Sequence, residues 1–323
     1  MMFIAYDPAT ASQPQGKPLR AGIIGLDTSH ALAFTEVLNA ANPAPQFAGV
    51  RVVAAFPGGS DDIPDSRDRV EGFTTKIRAL GVEIVDSIDA LLPKVDVVLL
   101  ESVDGRPHLQ QVIPVLNAKK PVFIDKPVAG SLADAVEIYR LVKENGVPCF
   151  SSSALRFSSG IASMRNDELV GAVLGCEARS PCMLEPHHPD LFWYGIHGVE
   201  TLFTIMGPGC DRVTRVNTDG TELVVGTWKD GRIGTFRGTR SGPHGYGAMV
   251  YGSKAASPSG GFEGYQPLVA EIVKFFKTGK SPVSAEETLE IYAFMEAADE
   301  SRRQDGGSVE LKTVLERAQK SRR

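Results

Sequence analysis

Short apolar runs alternate with helical stretches over the first half of the chain. The runs are nearly continuous, and the stretches between them carry apolar residues three or four positions apart. Strands are predicted at Arg20–Leu26, Val50–Phe56, Val82–Val85, Val95–Leu100, Val122–Ile124 and Val147–Ser151. Helices are predicted at Ser29–Asn39, Val70–Leu80, Ile88–Leu92, His108–Ala118 and Leu132–Asn145. Strands this apolar are buried on both faces, so a doubly wound parallel α/β domain is predicted over residues 19–151, after a polar tail at 1–18.

The second half of the chain has shorter strand patterns separated by glycine-rich turns. Strands are predicted at Val173–Ser180, Val213–Asn217, Thr221–Thr227, Arg232–Arg237 and Ala248–Gly252, with a hairpin turn at Lys229–Gly231. Helices are predicted at Gly160–Asn166, Gly198–Met206, Tyr265–Lys277 and Ala285–Gln304. The pattern indicates an α+β domain with an open, mainly antiparallel sheet over residues 152–323, whose C-terminal helices could pack back on the first domain.

Composition narrows the class of protein. The chain has 323 residues, which is longer than a single hydrophobic core usually supports and is typical of two domains. Its hydrophobic fraction, 42%, is that of a globular protein. A net charge of −5 without a basic block disfavours nucleic acid and anionic membranes as partners. The four cysteines form no C-x-x-C pair, as in reduced proteins, and no signal peptide or membrane span is recognisable. We therefore expect a cytoplasmic protein.

The turn after the first strand is the first candidate for chemistry. A dinucleotide-binding turn has the pattern Gly-x-Gly-x-x-Gly. The six positions here are Gly25, Leu26, Asp27, Thr28, Ser29 and His30. Only the first glycine is kept, and Asp27 would place a carboxylate where a pyrophosphate approaches the helix N-terminus. The alternative is that Asp27, Thr28 and Ser29 only cap the turn and the helix.

No acidic residue ends the second strand, where a dinucleotide ribose is usually held. Instead, a Pro-Gly-Gly-Ser-Asp-Asp loop follows Phe56. In this loop Asp61 or Asp62 could reach an adenosine ribose. Ser60 or Arg67 could meet a 2′-phosphate, and a plain solvated loop is the alternative. The sequence therefore does not distinguish NAD from NADP.

Two later motifs connect these features to a known family. Ile124-Asp125-Lys126-Pro127 ends the fifth strand, and Trp193-Tyr194-Gly195-Ile196-His197-Gly198-Val199-Glu200 lies downstream. In this order they resemble the Gfo/Idh/MocA oxidoreductases (glucose–fructose oxidoreductase, inositol dehydrogenase and relatives), over about residues 19–311. The family's Glu-Lys-Pro is Asp-Lys-Pro here, and Trp193 replaces the first Asp of its Asp-x-Gly-x-His-x-x-Asp segment. The resemblance implies a Rossmann domain joined to an open-sheet domain, and a homo-oligomer (dimer or tetramer) formed through that sheet.

The resemblance also implies an activity, the NAD(P)-dependent oxidation of a secondary hydroxyl of a sugar, cyclitol or related polyol. Lys126, after Asp125, would stabilise the forming alkoxide, and His197, oriented by Glu200, would take the hydroxyl proton. Besides the glycine turn, the cofactor is expected to contact Ser60, Glu101, Ser102, His108 and Lys126. The substrate is expected to contact Arg156, His187, His188 and Tyr194.

Two other functions stay open. The same fold could serve a lyase, hydrolase or epimerase that uses bound NAD or a metal, although no metal site is the favoured interpretation. For that metal the loop Glu185–Asp190 gathers two imidazoles and two carboxylates. The lost glycines and Trp193 are also compatible with a non-catalytic ligand-binding protein. Arg156 could equally serve packing, and Trp193 and Tyr194 could belong to the core, to an interface or to an aromatic platform under a sugar ring.

Overall fold

The computed structural model describes residues 17–321. Its first sheet contains β1 (Leu19–Ile24), β2 (Val50–Phe56), β3 (Glu83–Ile84), β4 (Val97–Leu100), β5 (Val122–Ile124) and β6 (Cys149–Ser151). All strand pairs are parallel, and the order across the sheet is β3-β2-β1-β4-β5-β6. The order reverses between β1 and β4, and at such a point the carboxyl ends of the strands leave a crevice for a ligand.

Helices cover both faces of this sheet. They are α1 (Ser29–Leu38), α2 (Pro64–Arg67), α3 (Val70–Ala79), α4 (Ile88–Leu91), α5 (His108–Asn117) and α6 (Leu132–Asn145). Alternate strand residues enter separate cores. Ile23 and Leu99 pack in one cluster with Phe34 of α1, while Ile24 and Leu100 pack in the other with helices α5 and α6. This two-sided burial explains why the strands are apolar at every position.

The second sheet has seven strands. They are β7 (Val173–Pro181), β8 (Cys210–Thr218), β9 (Thr221–Trp228), β10 (Ile233–Thr239), β11 (Gly247–Gly252), β12 (Ala256–Pro258) and β13 (Val309–Glu310), in the order β12-β11-β7-β10-β9-β8-β13. Only β7 and β10 pair in parallel. The predicted hairpin turn joins β9 to β10, with Gly231 at φ 87°.

The remaining helices are α7 (Ser159–Ala162), α8 (Ile196–Met206), α9 (Gln266–Thr278), α10 (Ala285–Arg303) and α11 (Leu311–Lys320). Helix α8 packs on the second sheet. Helix α9 returns to the first sheet, where Leu268 and Ile272 share a core with Phe34 and Phe150. Among residues 17–321, no helix is long and apolar enough to cross a membrane. All four cysteines are buried and free.

The fold class predicted from the sequence is confirmed, since a parallel six-stranded sheet precedes a mainly antiparallel one. The helix predicted at Gly160–Asn166 is wrong in detail, because α7 ends at Ala162 and a separate 3₁₀ turn follows at Met164–Asn166. β12, β13, α2 and α11 were not predicted, and other boundaries shift by a few residues. The predicted tail at residues 1–18 lies outside the described residues except for Lys17 and Pro18.

Candidate active site

A cavity of about 130 Å³ opens at the carboxyl edge of the first sheet, between the start of α1 and the start of α8. It therefore lies at the reversal point of the strand order. Its walls include Thr28, Ser29, His30, Lys126, Ser153, Trp193, Tyr194, His197, Tyr246, Phe262 and Tyr265. Both domains contribute to this wall, and the motif residues Lys126 and His197 come together there although 71 positions separate them in the chain (197 − 126).

Lys126 follows β5 directly, and its backbone N–H donates to Asp125 Oδ1 at 2.8 Å. The peptide bond to Pro127 is cis. Lys126 Nζ lies 5.9 Å from the centre of the Tyr194 ring, a cation–π distance. No hydrogen bond or ion pair to this Nζ occurs within residues 17–321. The ammonium is therefore available to a ligand in the cavity.

His197 is the second residue of α8 and is partly exposed to the cavity. Its Nδ1 lies 2.7 Å from Ser153 Oγ, and its ring meets the Tyr194 ring edge-on at 5.7 Å. When Nδ1–H donates to Ser153, Nε2 keeps its lone pair for a substrate hydroxyl. Burial and the nearby Lys126 charge hold the pKa of His197 well below its ordinary value. The ring is therefore neutral near pH 7 and can accept a proton.

The expectation that Glu200 orients His197 is wrong. The Glu200 carboxylate accepts hydrogen bonds from Ser152 Oγ at 2.6 Å and from Ser153 N at 2.9 Å. It also accepts one from Arg156 Nε at 2.7 Å. Residues three apart lie on neighbouring faces of a helix, and here Glu200 faces the end of β6 rather than the imidazole. Glu200 thus fixes Ser153, and Ser153 in turn forms a hydrogen bond with the His197 ring.

Arg156 is buried away from the cavity. Besides Glu200, its guanidinium binds Glu287 Oε1 at 2.8 Å, and the two carboxylates outweigh burial to hold the pKa of Arg156 above its ordinary value. This ion pair joins the segment after β6 to α8 and α10. The geometry therefore agrees with a packing role and places Arg156 outside the group of substrate contacts.

In the turn after β1, Gly25 adopts φ 96°, and a Cβ there would lie 2.3 Å from the backbone nitrogen of Ser102. Only glycine fits this turn. Asp27 is fully buried and accepts hydrogen bonds from Val103 N at 3.0 Å and Ser66 Oγ at 2.6 Å, while burial raises its pKa. Thr28 caps α1. The Asp27 carboxylate therefore points into the protein and does not line the cavity.

His30 occupies the third glycine position of the turn, and its side chain contacts Asp125, the residue before Lys126. Its Nδ1 lies 2.7 Å from Asp125 Oδ2, and both side chains are almost fully buried. Glu101 ends next to them, and neither of its oxygens has a hydrogen-bond partner within residues 17–321. Burial and the Asp125 charge raise the pKa of Glu101 well above its ordinary value. Against the effect of burial, His30 and Lys126 keep the pKa of Asp125 low.

The other expected cofactor contacts bind protein groups in this structure. Ser60 Oγ donates to Asp104 Oδ2 at 2.7 Å, and Asp62 pairs with Arg106. His108 is fully buried, and its Nε2 lies 2.9 Å from Ser102 O. None of Ser60, Asp62 and His108 lines the cavity, so their predicted cofactor contacts are not seen in this arrangement.

The loop with His187 and His188 crosses between the domains instead of entering the cavity. The fully buried ring of His188 has Nδ1 2.9 Å from Glu185 Oε2 and Nε2 3.1 Å from Asp104 Oδ1. His187 also binds Glu185, at 2.8 Å. Within residues 17–321, the side-chain group with metal-ligand geometry does not include this loop. The two imidazoles thus serve the contact between the domains and do not line the cavity, and their predicted substrate contacts stay a prediction.

Several residues of the cavity wall were missed from the sequence. Ser153, which contacts His197, was not predicted. Tyr246, Phe262 and Tyr265 come from a glycine-rich stretch and from the start of α9. No local pattern marks these aromatic residues, because only the return of α9 to the first sheet brings them to the cavity.

Comparison with known families assigns the first domain. Residues 19–153 match the model of the Gfo/Idh/MocA group, described as an oxidoreductase family with an NAD-binding Rossmann fold. The resemblance to that family, inferred from the motifs, is therefore confirmed for these residues.

Two curated relatives share part of this region. A 2,7-anhydro-N-acetylneuraminate hydratase of Escherichia coli is 30% identical over 100 residues, which is 29% of this chain and 27% of the relative. An uncharacterized oxidoreductase of Streptococcus pneumoniae is 30% identical over 120 residues, 35% of this chain and 32% of the relative. The chain thus aligns with about a third or less of each relative's length.

Solved structures show the same fold over nearly the whole chain. A scyllo-inositol dehydrogenase from Lactobacillus casei with bound NAD(H) and scyllo-inositol has a TM-score of 0.74 at 16% identity, covering 92% of this chain and 100% of that one. A myo-inositol 2-dehydrogenase from Lactobacillus plantarum has a TM-score of 0.72 at 16% identity, covering 91% and 99%. At these identities the likeness establishes the two-domain architecture.

The cavity offers features that suit the nicotinamide dinucleotide of this family. Thr28 and Ser29 at the start of α1 line the cavity, and the first N–H groups of a helix have no partner within it, so they favour an anion. The buried Asp27 carboxylate is turned away from this wall. Lys126 lines the same cavity. The residues therefore fit the group, with the turn Gly25–Ser29 for its phosphates and Lys126 near its reactive end.

Proposed function

We propose that this chain is an NAD(P)-dependent dehydrogenase that oxidises a secondary hydroxyl of a sugar, cyclitol or related polyol. The observation that carries the proposal is the pairing of an unengaged ammonium, Lys126, with a neutral imidazole, His197, on one cavity beside the start of α1. The family of the first domain and the inositol dehydrogenase fold support the same conclusion.

Lys126 and His197 have different roles toward the substrate. The turn Gly25–Ser29 would hold a nicotinamide dinucleotide, which would supply the hydride acceptor for the carbinol carbon. Lys126 holds the oxygen, because its charge stabilises the alkoxide as it develops. His197 Nε2 takes the hydroxyl proton while Nδ1–H stays bonded to Ser153. Tyr194, in contact with both side chains, closes one wall and offers an apolar face to a sugar ring.

The proposal is tested with the purified full-length chain and its Lys126→Ala variant. Cofactor affinity is measured by titrating NAD⁺ and NADP⁺ calorimetrically, and turnover is followed as reduced nicotinamide with a panel of polyols. We expect kcat of the variant to fall by about 100- to 1,000-fold, the usual cost of losing a group that stabilises an oxyanion. Cofactor Kd should change by less than about threefold.

Lys312→Ala is the matched control, since Lys312 is 81% exposed on α11, away from the cavity. It should keep both turnover and affinity. Loss of cofactor affinity alone in Lys126→Ala would make this lysine a binding residue. Failure of the unmodified chain to bind either nicotinamide at millimolar concentration would overturn the dehydrogenase proposal.

A second candidate function is favoured by one comparison. A relative 30% identical over 100 residues is a hydratase rather than a dehydrogenase. In such a reaction Lys126 and His197 would move protons during loss or gain of water, with no net oxidation. Mass analysis of the products separates the two functions, because a hydratase changes the substrate by one water and accumulates no reduced nicotinamide.

We further propose that the protein forms a homo-oligomer in the cytoplasm. The outer face of the second sheet carries exposed apolar side chains, among them Val216, Ile233 and Tyr251. Exposed apolar groups collected on one sheet face are typical of subunit interfaces. The four free cysteines are all buried thiols, as expected in a reducing compartment.

A further inference from the structure

We propose that His30, Glu101 and Asp125 form a binding site for one divalent metal ion below the cavity floor. The three residues come from α1 and from the ends of β4 and β5, and each directs one ligand atom at the same point. All three ligand atoms lie within 4.8 Å of one another. This site goes beyond the proposed function and does not depend on it.

Glu101 is the independent observation that points to a ligand. The side chain is 0% exposed, and neither carboxyl oxygen has a hydrogen-bond partner within residues 17–321. Buried polar atoms are nearly always paired with protein, water or an ion. By contrast, the two neighbouring carboxylates, Asp27 and Asp125, are each held by hydrogen bonds. Within residues 17–321, Glu101 therefore receives no N–H or O–H donor at the point where Asp125 and His30 also converge.

The charge of the cluster requires a positive species. Glu101 and Asp125 are two buried carboxyl groups, and Lys126 is the fixed cation next to them. The second positive charge is a proton on His30, a proton shared between Glu101 and Asp125, or an added cation. The convergence of one imidazole and two carboxyl groups within 4.8 Å is the arrangement that a bound cation uses, and it favours the cation.

The donor set also selects the kind of ion. One imidazole nitrogen and two carboxylate oxygens suit Zn²⁺, Mn²⁺ or Fe²⁺. Bonds of about 2.1 Å in tetrahedral geometry separate ligand atoms by about 3.4 Å, so the 2.7 Å contact between His30 Nδ1 and Asp125 Oδ2 would widen slightly on binding. His30 lines the cavity, which gives the ion a path from solvent. On binding, the ion would replace the contact between His30 Nδ1 and Asp125.

The site is tested by titrating the full-length chain, first stripped of metal by a chelator, with Zn²⁺ and with Mn²⁺. Calorimetry gives stoichiometry and affinity, and the electron paramagnetic resonance signal of bound Mn²⁺ reports binding without any activity assay. We expect one ion per chain. Glu101→Gln and His30→Gln should each weaken binding at least tenfold.

Glu185→Gln is the matched control, because Glu185 lies in the other cluster of imidazoles and carboxylates, whose ligand atoms do not converge. It should bind the ion as the unmodified chain does. No saturable binding, or binding that neither Glu101→Gln nor His30→Gln weakens, would overturn the proposal. Glu101 would then be a neutral acid, and Glu101→Gln would leave the thermal unfolding midpoint unchanged. Such a result would not affect the dehydrogenase test, which measures nicotinamide binding and turnover.

Discussion

Lys126 and His197 face the same small cavity, so each sets the electrostatic surroundings of the other. The lysine charge, together with burial, disfavours the imidazolium form of His197. A depressed pKa suits a base that must be free of its proton before the substrate arrives. Ser153 and Glu200 hold the ring in place without adding a negative charge next to it. At the scale of single residues, then, position and charge together make His197 a neutral acceptor.

The pH response of His197 is the prediction at this scale. Its ring protons, followed by NMR, should show no titration between about pH 6 and pH 8, because the folded pKa lies below the ordinary value of about 6.5. In Lys126→Met the pKa should rise, since the opposing charge is gone. The lowered pKa of His197 also makes the stability of the fold depend on pH. Below about pH 6.5 the unfolded chain takes up the proton first, so this residue makes the fold less stable as pH falls.

His197→Gln identifies the resonance, because one of the six histidine signals disappears. Lys274→Met, a change on an exposed helix residue, serves as the control and should leave the titration unchanged. Titration of His197 near its ordinary pKa in the unmodified protein would contradict the prediction. So would a pKa that does not respond to Lys126→Met.

At the scale of elements, most of the fold could be predicted because the pattern is local. Strands buried on two faces are apolar throughout, and helices ending at residues such as Gly146 carry their own stop signal. β13 and α11 were missed because β13 has two residues and α11 buries only Leu311, Val314 and Ala318. The motifs identified Lys126 and His197, whereas the role of Glu200 depends on which way α8 faces.

Only part of the structure of the turn after β1 could be predicted from the sequence. Its single glycine was recognised, but the direction of the Asp27 side chain depends on Ser66 and Val103, which lie 39 and 76 positions away. Asp27 lies two residues before α1, where the partial charges of the helix favour an anion, while burial disfavours its charged form. A bound pyrophosphate would have to share the same positive end of the helix with it.

We therefore expect Asp27→Asn to tighten the binding of NAD⁺ or NADP⁺. The amide keeps an acceptor for Val103 N and a donor for Ser66 Oγ, and it removes the negative charge. A charge at a helix N-terminus contributes on the order of 1 kcal/mol, which corresponds to about fivefold in Kd. Calorimetric titration of each nicotinamide measures the change.

Asp89→Asn is the control, because Asp89 is an exposed carboxylate in the first turn of α4, away from the cavity, and its loss should leave Kd unchanged. Equal or weaker binding by Asp27→Asn would show that the buried carboxylate does not compete with the phosphates of the cofactor. Thermal unfolding of both variants confirms that the comparison is made on folded protein.

At the scale of the whole molecule, the two sheets are joined by polar contacts as well as by the chain. Asp104 of the first domain meets His188 of the second, and α9 places Leu268 in the core of the first. These contacts fix one edge of each sheet around the cavity. Among residues 17–321 no helix packs on the outer face of the second sheet, and Ile233 on this face is 53% exposed. The domain boundary predicted near residue 152 stays a prediction.

An oligomer formed through that sheet face is the prediction at this scale. Light scattering during size-exclusion chromatography should give a mass of two or four chains. Ile233→Lys should shift the protein toward the monomer, because a lysine buried at an apolar interface has no partner for its charge. The proposed face is the side of β8, β9, β10 and β11 turned away from α8, and Val216, at 63% exposed, lies on it as well.

Leu184→Lys is the matched control for this experiment. Leu184 is 43% exposed, but it lies in the loop after β7 and lines a cavity between the domains rather than the sheet face. The same charge placed there should leave the mass unchanged. A monomeric unmodified chain, or a mass that Ile233→Lys does not alter, would contradict assembly through this face. If Val216→Lys and Ile233→Lys both yield monomers that still bind nicotinamide, the cofactor site is complete within one chain, as the cavity between its two domains suggests.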